Sequence, residues 1–98
     1  MTIVLCSKGY PDKKMKNKKI NLKKIILNKK SFIFHAGTKI KNNLLFSNGG
    51  RVLNVVVLGN TFLKIRNQIF GIIKNIDWKY GFFRRDIGWR VIKKKWEL

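Results

Sequence analysis

Acidic side chains are the scarcest group in this sequence, with four carboxylates against 23 lysines and arginines. The four lie far apart in the chain: Asp12, Asp77, Asp86 and Glu97. Holding Mg²⁺ between nucleotide phosphates requires convergent carboxylates. A P-loop would also need a lysine and a hydroxyl residue after its glycines, which Gly49-Gly50 lack. We therefore expect no catalytic residues and no metal site in this chain.

Cysteine and histidine occur once each, as Cys6 and His35. A single cysteine excludes an intramolecular disulfide, and this pair is too small a ligand set for a structural zinc site. Both observations favour a reducing, cytoplasmic location. Cys6 is expected to be a small buried hydrophobe. His35 lies in an apolar run without an acid nearby, so we expect a packed, hydrogen-bonded core residue; the alternative is an acid–base role.

Long apolar runs are also missing. No stretch of 18 apolar residues is present, so no membrane span is predicted. The first residues place their apolar run before the first cation, Lys8, which is the wrong order for a secretory signal.

Positive charge is abundant, with a formal net charge of +19. Such a balance favours polyanion partners, and we expect non-specific polyanion binding at low salt. The cations are mostly lysine, however, and isoleucine and asparagine are also frequent, a composition that an AT-rich genome produces without selection for binding. The lysine runs at 13–19, 23–30 and 93–95 are interpreted as solvated surface, with polyanion contact as the alternative.

The 98 residues suffice for one domain, 1–98. Apolar β-branched runs predict strands at 2–6, 32–38, 44–47 and 51–58. Asparagine and glycine between the last three predict tight turns, and hence an antiparallel meander. Between the first two, 20–27 is expected to be a connection with a short strand or turn.

Spacings of three and four residues between apolar side chains predict one amphipathic helix at about 61–76, capped by Asn60 or Thr61. Gly71 inside it suggests a close backbone contact. Tyr80 to Phe83 is expected to be a short extended piece. Trp89, Ile92 and Trp96 suit a last short helix that begins near Asp86, whose carboxylate is expected to cap or pair with a neighbouring arginine. The predicted class is α+β, dominated by sheet.

Five stretches, in order, resemble the C-terminal domain of glycinamide ribonucleotide synthetase (phosphoribosylamine–glycine ligase). They are Ser7-Lys-Gly-Tyr-Pro11, Phe34-His-Ala-Gly-Thr38, Ser47-Asn-Gly-Gly-Arg-Val-Leu53, Leu58-Gly-Asn-Thr61 and Gly81-Phe-Phe-Arg-Arg-Asp-Ile-Gly88. Each stretch alone is a weak signal, whereas five in order with similar spacing are a strong one. The resemblance covers about residues 3–92.

The resemblance implies a small antiparallel barrel or sandwich-hybrid domain (a rudiment single hybrid domain) that packs beside an ATP-grasp core. It implies a role in the reaction of ATP, phosphoribosylamine and glycine that yields glycinamide ribonucleotide, ADP and phosphate in purine synthesis. The ATP-grasp domains are absent from this chain, so ATP and Mg²⁺ are expected only with them. The expected partner is that ATP-grasp portion, in cis or as a separate chain.

Two departures from the family pattern matter. Asp12 stands where family members usually have glycine, which bears on the loop after Tyr10-Pro11. Lysine or asparagine replaces most of the usual acidic residues, which bears on the surface that meets the absent domains.

Arg51 is the candidate ligand contact. Gly49 and Gly50 before it permit close backbone approach, and a guanidinium binds phosphate through two parallel hydrogen bonds. We predict that these three residues bind the substrate phosphate; the alternative is that Arg51 pairs with a carbonyl or carboxylate at a strand end.

Two functions follow. The first is a ligase C-terminal domain, inactive alone, as a split subunit, a fragment or a decayed gene product. The second is a small basic RNA- or DNA-binding protein; against it, the aromatic residues lie at core-type positions instead of alternating with arginine as a stacking surface requires.

Overall fold

Two antiparallel sheets and one helix make up the described part of the chain, residues 1–10 and 17–83 of a computed structural model. The strands and the helix are β1 (Thr2–Ser7), β2 (Lys19–Ile20), β3 (Ser31–His35), β4 (Thr38–Lys41), β5 (Leu44–Ser47), β6 (Arg51–Val57), α1 (Phe62–Lys74) and β7 (Gly81–Phe82). Sheet A has the order β3-β6-β1-β7, and sheet B the order β2-β5-β4. The predicted α+β class with dominant antiparallel sheet is confirmed.

Strand β6 lies at the centre of sheet A, between β1 and β3. Its partner residues on β1 run from Val56 opposite Thr2 to Leu53 opposite Leu5. The register then shifts, so that Cys6 lies opposite Arg51. This irregularity lets Val52 and Leu53 both point into the core, where each is fully buried. It also places Arg51 at the edge of the core, beside the end of β1.

The predicted meander of 32–38, 44–47 and 51–58 is wrong. Strand β3 ends at His35, and the amides of Ala36 and Gly37 both donate to the Val52 carbonyl, at 2.9 and 3.2 Å. A side chain at Gly37 would lie 2.5 Å from the Arg51 carbonyl oxygen, so the chain turns here at a glycine and enters sheet B. The single predicted strand is therefore two strands in different sheets.

The predicted turn at Asn42 and Asn43 is confirmed. Both residues have positive φ, 53° and 64°, and they connect β4 to β5 as a tight hairpin. Asparagine tolerates this backbone region better than most residues, which explains the pair. Residues 48–50 then return the chain from sheet B to sheet A.

Helix α1 packs its apolar side on the inner face of sheet A. Ile65, Ile69 and Ile72 are buried there among core residues from β1 and β6. Thr61 occupies the N-cap position, but its side chain makes no capping hydrogen bond. The close contact expected at Gly71 is wrong, because a Cβ there would meet nothing within 4 Å.

The expected extended piece near Tyr80 is present as β7, which pairs with β1. The loop after Tyr10-Pro11, the last helix near Asp86 and the lysines at 93–95 lie outside the described residues. Within 1–10 and 17–83, no helix has the length and apolar character that crossing a bilayer requires.

Candidate functional site

The end of β1 forms a tight turn that aims Tyr10 back at the sheet. The Tyr10 amide donates to the Ser7 carbonyl at 3.1 Å, and Gly9 has a φ of 87°. A type II turn needs positive φ at its third position, which glycine adopts without strain. The turn brings Tyr10 against the segment that enters β6.

Ser7 fixes that segment with two hydrogen bonds. Its amide donates to the Gly50 carbonyl and its hydroxyl to the Gly49 carbonyl, each at 2.7 Å. Ser7 is fully buried, so these bonds are shielded from water. On the other side, the Asn48 amide donates to the Gly37 carbonyl at 2.7 Å. The backbone before Arg51 is thereby held from two directions.

Arg51 is exposed, and its side chain is oriented by Tyr10. Its Nε donates to the Tyr10 hydroxyl at 3.0 Å, and the guanidinium carbon lies 5.9 Å from the centre of the Tyr10 ring. The bond uses Nε, so within the described residues both terminal Nη groups remain available to a ligand. A guanidinium held in this way suits a phosphate or carboxylate that accepts two parallel hydrogen bonds.

A shallow cleft of about 250 Å³ lies beside Arg51. Its lining is mostly apolar and comes from β1, Arg51, Phe82 and Phe83. Cys6 lies in this lining. Burial raises the pKa of the Cys6 thiol above its usual range, and the nearby Arg51 guanidinium partly opposes that rise. The thiol is therefore protonated at neutral pH and is a weak nucleophile.

Carboxylate ligands do not converge in the described part of the chain. Asp77 is the one acidic residue within 1–10 and 17–83, and no group of three or more metal-ligating side chains occurs there. A lone carboxylate does not supply the donor set that Mg²⁺ with a nucleotide requires. The described residues therefore do not fit a magnesium–ATP centre.

Comparison with known proteins identifies the family. The family model of the phosphoribosylglycinamide synthetase C domain matches residues 1–90. The phosphoribosylamine–glycine ligase of Agrobacterium fabrum is 38% identical over 96 residues, which are 97% of this chain and 22% of the ligase. That of Mesorhizobium japonicum is 38% identical over 95 residues with the same coverage.

The crystal structure of the Thermotoga maritima phosphoribosylamine–glycine ligase superposes with a TM-score of 0.74 at 33% identity. The superposed region covers 87% of this chain and 20% of that enzyme. This chain belongs to the phosphoribosylglycinamide synthetase C-domain family. It corresponds to the C-terminal domain of its relatives and spans about a fifth of their length.

In this C domain, four of the five stretches that carry the family resemblance meet in space. Residues 7–10, Gly37 and residues 48–51 are joined by the hydrogen bonds given above. The Lys8 amide donates to the Tyr80 carbonyl at 2.8 Å, which brings the start of β7 to the same place. Residues 84–88 lie outside the described range. These four stretches thus mark a place where separate segments of the C domain join.

Gly49, Gly50 and Arg51 are brought together as expected, but the structure gives Gly50 a packing role. A Cβ at Gly50 would overlap the Tyr10 ring. Tyr10 is the site residue that the sequence analysis missed. Its place in the first resemblance stretch was the available signal, but nothing in the sequence pairs it with a residue 41 positions away. A ligand role for these three glycine and arginine residues remains a prediction.

The core position expected for His35 is wrong. Its ring is exposed, and Nδ1 lies 3.1 Å from the Thr38 hydroxyl. His35 instead borders a second open cleft of about 430 Å³, between Lys19, Lys23 and apolar residues of sheet B. Cys6 is half-buried, less than expected. Lysines 19, 23, 24, 29 and 30 are exposed, as expected for solvated surface, whereas Lys18 is half-buried, with Nζ 4.8 Å from the centre of the Tyr80 ring.

Proposed function

We propose that this chain serves as the C-terminal domain of a phosphoribosylamine–glycine ligase, joined to an ATP-grasp portion in the same or a separate chain. The assembled enzyme condenses phosphoribosylamine with glycine and converts ATP to ADP and phosphate. The observation that supports the proposal is the family match over residues 1–90, together with relatives in which this region is about a fifth of a longer ligase.

Catalysis belongs to the assembled enzyme in this proposal and not to the isolated chain. The described residues offer Asp77 as their one carboxylate and no convergent metal ligands. We therefore assign the binding of ATP and Mg²⁺ to the preceding domains.

Arg51 contributes a phosphate contact in the assembled enzyme. Three features support this role: the backbone before it is held by Ser7, its Nε is held by the Tyr10 hydroxyl, and it borders an open cleft. A preoriented guanidinium loses little conformational freedom when a phosphate binds. Tyr10 is then a positioning residue, and Gly50 provides the space in which Tyr10 packs.

A chimaera tests the proposal directly. The C-terminal region of the Agrobacterium fabrum ligase is replaced by this full 98-residue chain, and ADP release is measured with both substrates present. Release that requires phosphoribosylamine and glycine together is the expected result. A folded chimaera without such turnover would contradict the proposal.

A further inference from the structure

The two faces of sheet A differ in what packs against them. Helix α1 covers the inner face, where Ile3, Leu5 and Val55 are buried. The opposite side, here termed the outer face of sheet A, carries the side chains that alternate with these along the strands. Its apolar members are Val4, Cys6, Phe32, Phe34, Val56 and Phe82.

Strand register places these residues in contiguous rows. Phe32 lies opposite Val56, which lies opposite Thr2. Phe34 and Val4 flank Asn54 in the next row. The rings of Phe32 and Phe34 stack with centroids 5.9 Å apart. The apolar surface therefore runs across all four strands, because Cys6 and Phe82 pair at the other edge.

The exposure of this surface is unusual for a sheet that faces water. Val4 and Phe32 are 38% exposed, Phe82 40% and Phe34 54%. A solvated antiparallel face normally alternates to polar side chains, whereas here the polar residues are Thr2, Asn54 and, opposite Cys6 at one end, Arg51. Contiguous apolar patches of this kind mark interaction surfaces.

Charge disfavours a second copy of this chain as the cover. Each copy carries a formal +19, so two copies would repel one another on approach. The relatives carry the rest of the ligase, nearly four-fifths of their length, in the same polypeptide as this domain. The repulsion between two copies of this chain does not apply to that part of the ligase.

We infer that the outer face of sheet A is the surface on which the preceding part of the ligase docks. The inference rests on the proposed function for its partner. Arg51 lies at the border of this face and the cleft beside Cys6 opens on it, so docking would place both at the seam between domains, where ligand sites commonly form. A phosphate contact from Arg51 then depends on docking.

Single-cysteine variants test the inference in the chimaera. Cys6→Ser removes the native thiol; Val4→Cys then reports the outer face, and Asn67→Cys reports the exposed side of α1 as a matched control. Alkylation rates are measured by mass spectrometry in the isolated full chain and in the chimaera. We expect at least about tenfold slower alkylation at position 4 in the chimaera, and at position 67 a change within about twofold.

The outcomes separate the docking face from the proposed function. An active chimaera with equal rates at position 4 would overturn the face and leave the function standing. An inactive but folded chimaera with position 4 protected would contradict the proposed function and leave the docking face standing. Protection in the isolated chain, whether by residues 84–98 or by a dimer seen in sedimentation, would also overturn the inference.

A second measurement, on the isolated chain, tests the inference even if the chimaera does not fold. Phe34→Lys should change the melting temperature of the isolated chain by no more than a few degrees, because this ring is 54% exposed among the described residues. A collapse of stability would show that the chain itself buries this face, and the inference would fail.

Discussion

Substitutions of Arg51 and Tyr10 distinguish the contribution of charge from that of side-chain geometry at the candidate phosphate contact. In the chimaera, Arg51→Lys keeps the charge and loses the forked guanidinium and its Nε bond to Tyr10. A charge-assisted hydrogen bond contributes about 1.5–3 kcal/mol, so kcat/KM for phosphoribosylamine should fall roughly 10- to 150-fold. Values for glycine and ATP should change less.

Tyr10→Phe is the matched control for this experiment. It keeps the ring against Gly50 and removes only the hydroxyl that orients Nε, so the loss should be smaller than for Arg51→Lys. Both variants should keep most of their stability, since Arg51 is exposed. A lowered melting temperature with unchanged kinetics per folded molecule would end the proposal of a phosphate contact.

Gly50 should not tolerate a side chain. Gly50→Ala forces the Tyr10 ring to move, and overpacking of this kind costs about 1–3 kcal/mol of unfolding free energy. Gly71→Ala is the control, because it adds a Cβ in open space within a helix and should gain up to about 1 kcal/mol. Thermal unfolding of both variants decides the matter; a Gly50→Ala protein as stable as the parent would contradict the packing role.

At the residue scale, the sequence indicated Gly49, Gly50 and Arg51 as candidate site residues but did not show which contacts hold Arg51. The glycine pair and the arginine were visible because their residue types limit what they do. Tyr10 was not, since its contact with Arg51 depends on how β1 and β6 align. His35 was misjudged because an apolar neighbourhood in sequence does not reveal that β3 ends there and leaves the ring in water.

Among the secondary-structure elements, the β4–β5 hairpin depends on two asparagines with left-handed backbone. Asn43 has a φ of 64°, a region that costs a β-branched residue about 1–2 kcal/mol. Asn43→Val should lower the unfolding free energy by about that amount. Lys41→Val, in the adjoining extended strand, should be neutral. Urea unfolding of the pair checks this, and equal stability of both would disprove the turn geometry.

Several elements were predictable, while the pairing of the strands was not. Local signals sufficed for β1, β6, α1 and the Asn42-Asn43 turn, because apolar period and turn residues act over a few positions. The meander failed because the crossing at Gly37 depends on a distant carbonyl, that of Arg51. Likewise, the outer face of sheet A became apparent only once the register had aligned β1, β3 and β6.

For the whole molecule, the charge predicts binding to nucleic acid that is weak and non-specific. A protein that makes about six phosphate contacts loses on the order of 10³ in affinity between 50 and 200 mM salt. Fluorescence anisotropy with DNA of mixed sequence should therefore show binding at 50 mM and little at 200 mM. Nanomolar, sequence-selective affinity at 200 mM would favour a nucleic-acid-binding role instead.

The central claim is that this chain acts as one domain of a larger ligase, and ADP release tests it most directly. Three samples are compared under identical conditions: the isolated chain, the Agrobacterium fabrum ligase cut before its matching C-terminal region, and the chimaera that joins the two. We predict release dependent on phosphoribosylamine and glycine in the chimaera, and none from the isolated chain. Turnover by the isolated chain, or a folded chimaera no more active than the truncated ligase, would contradict it.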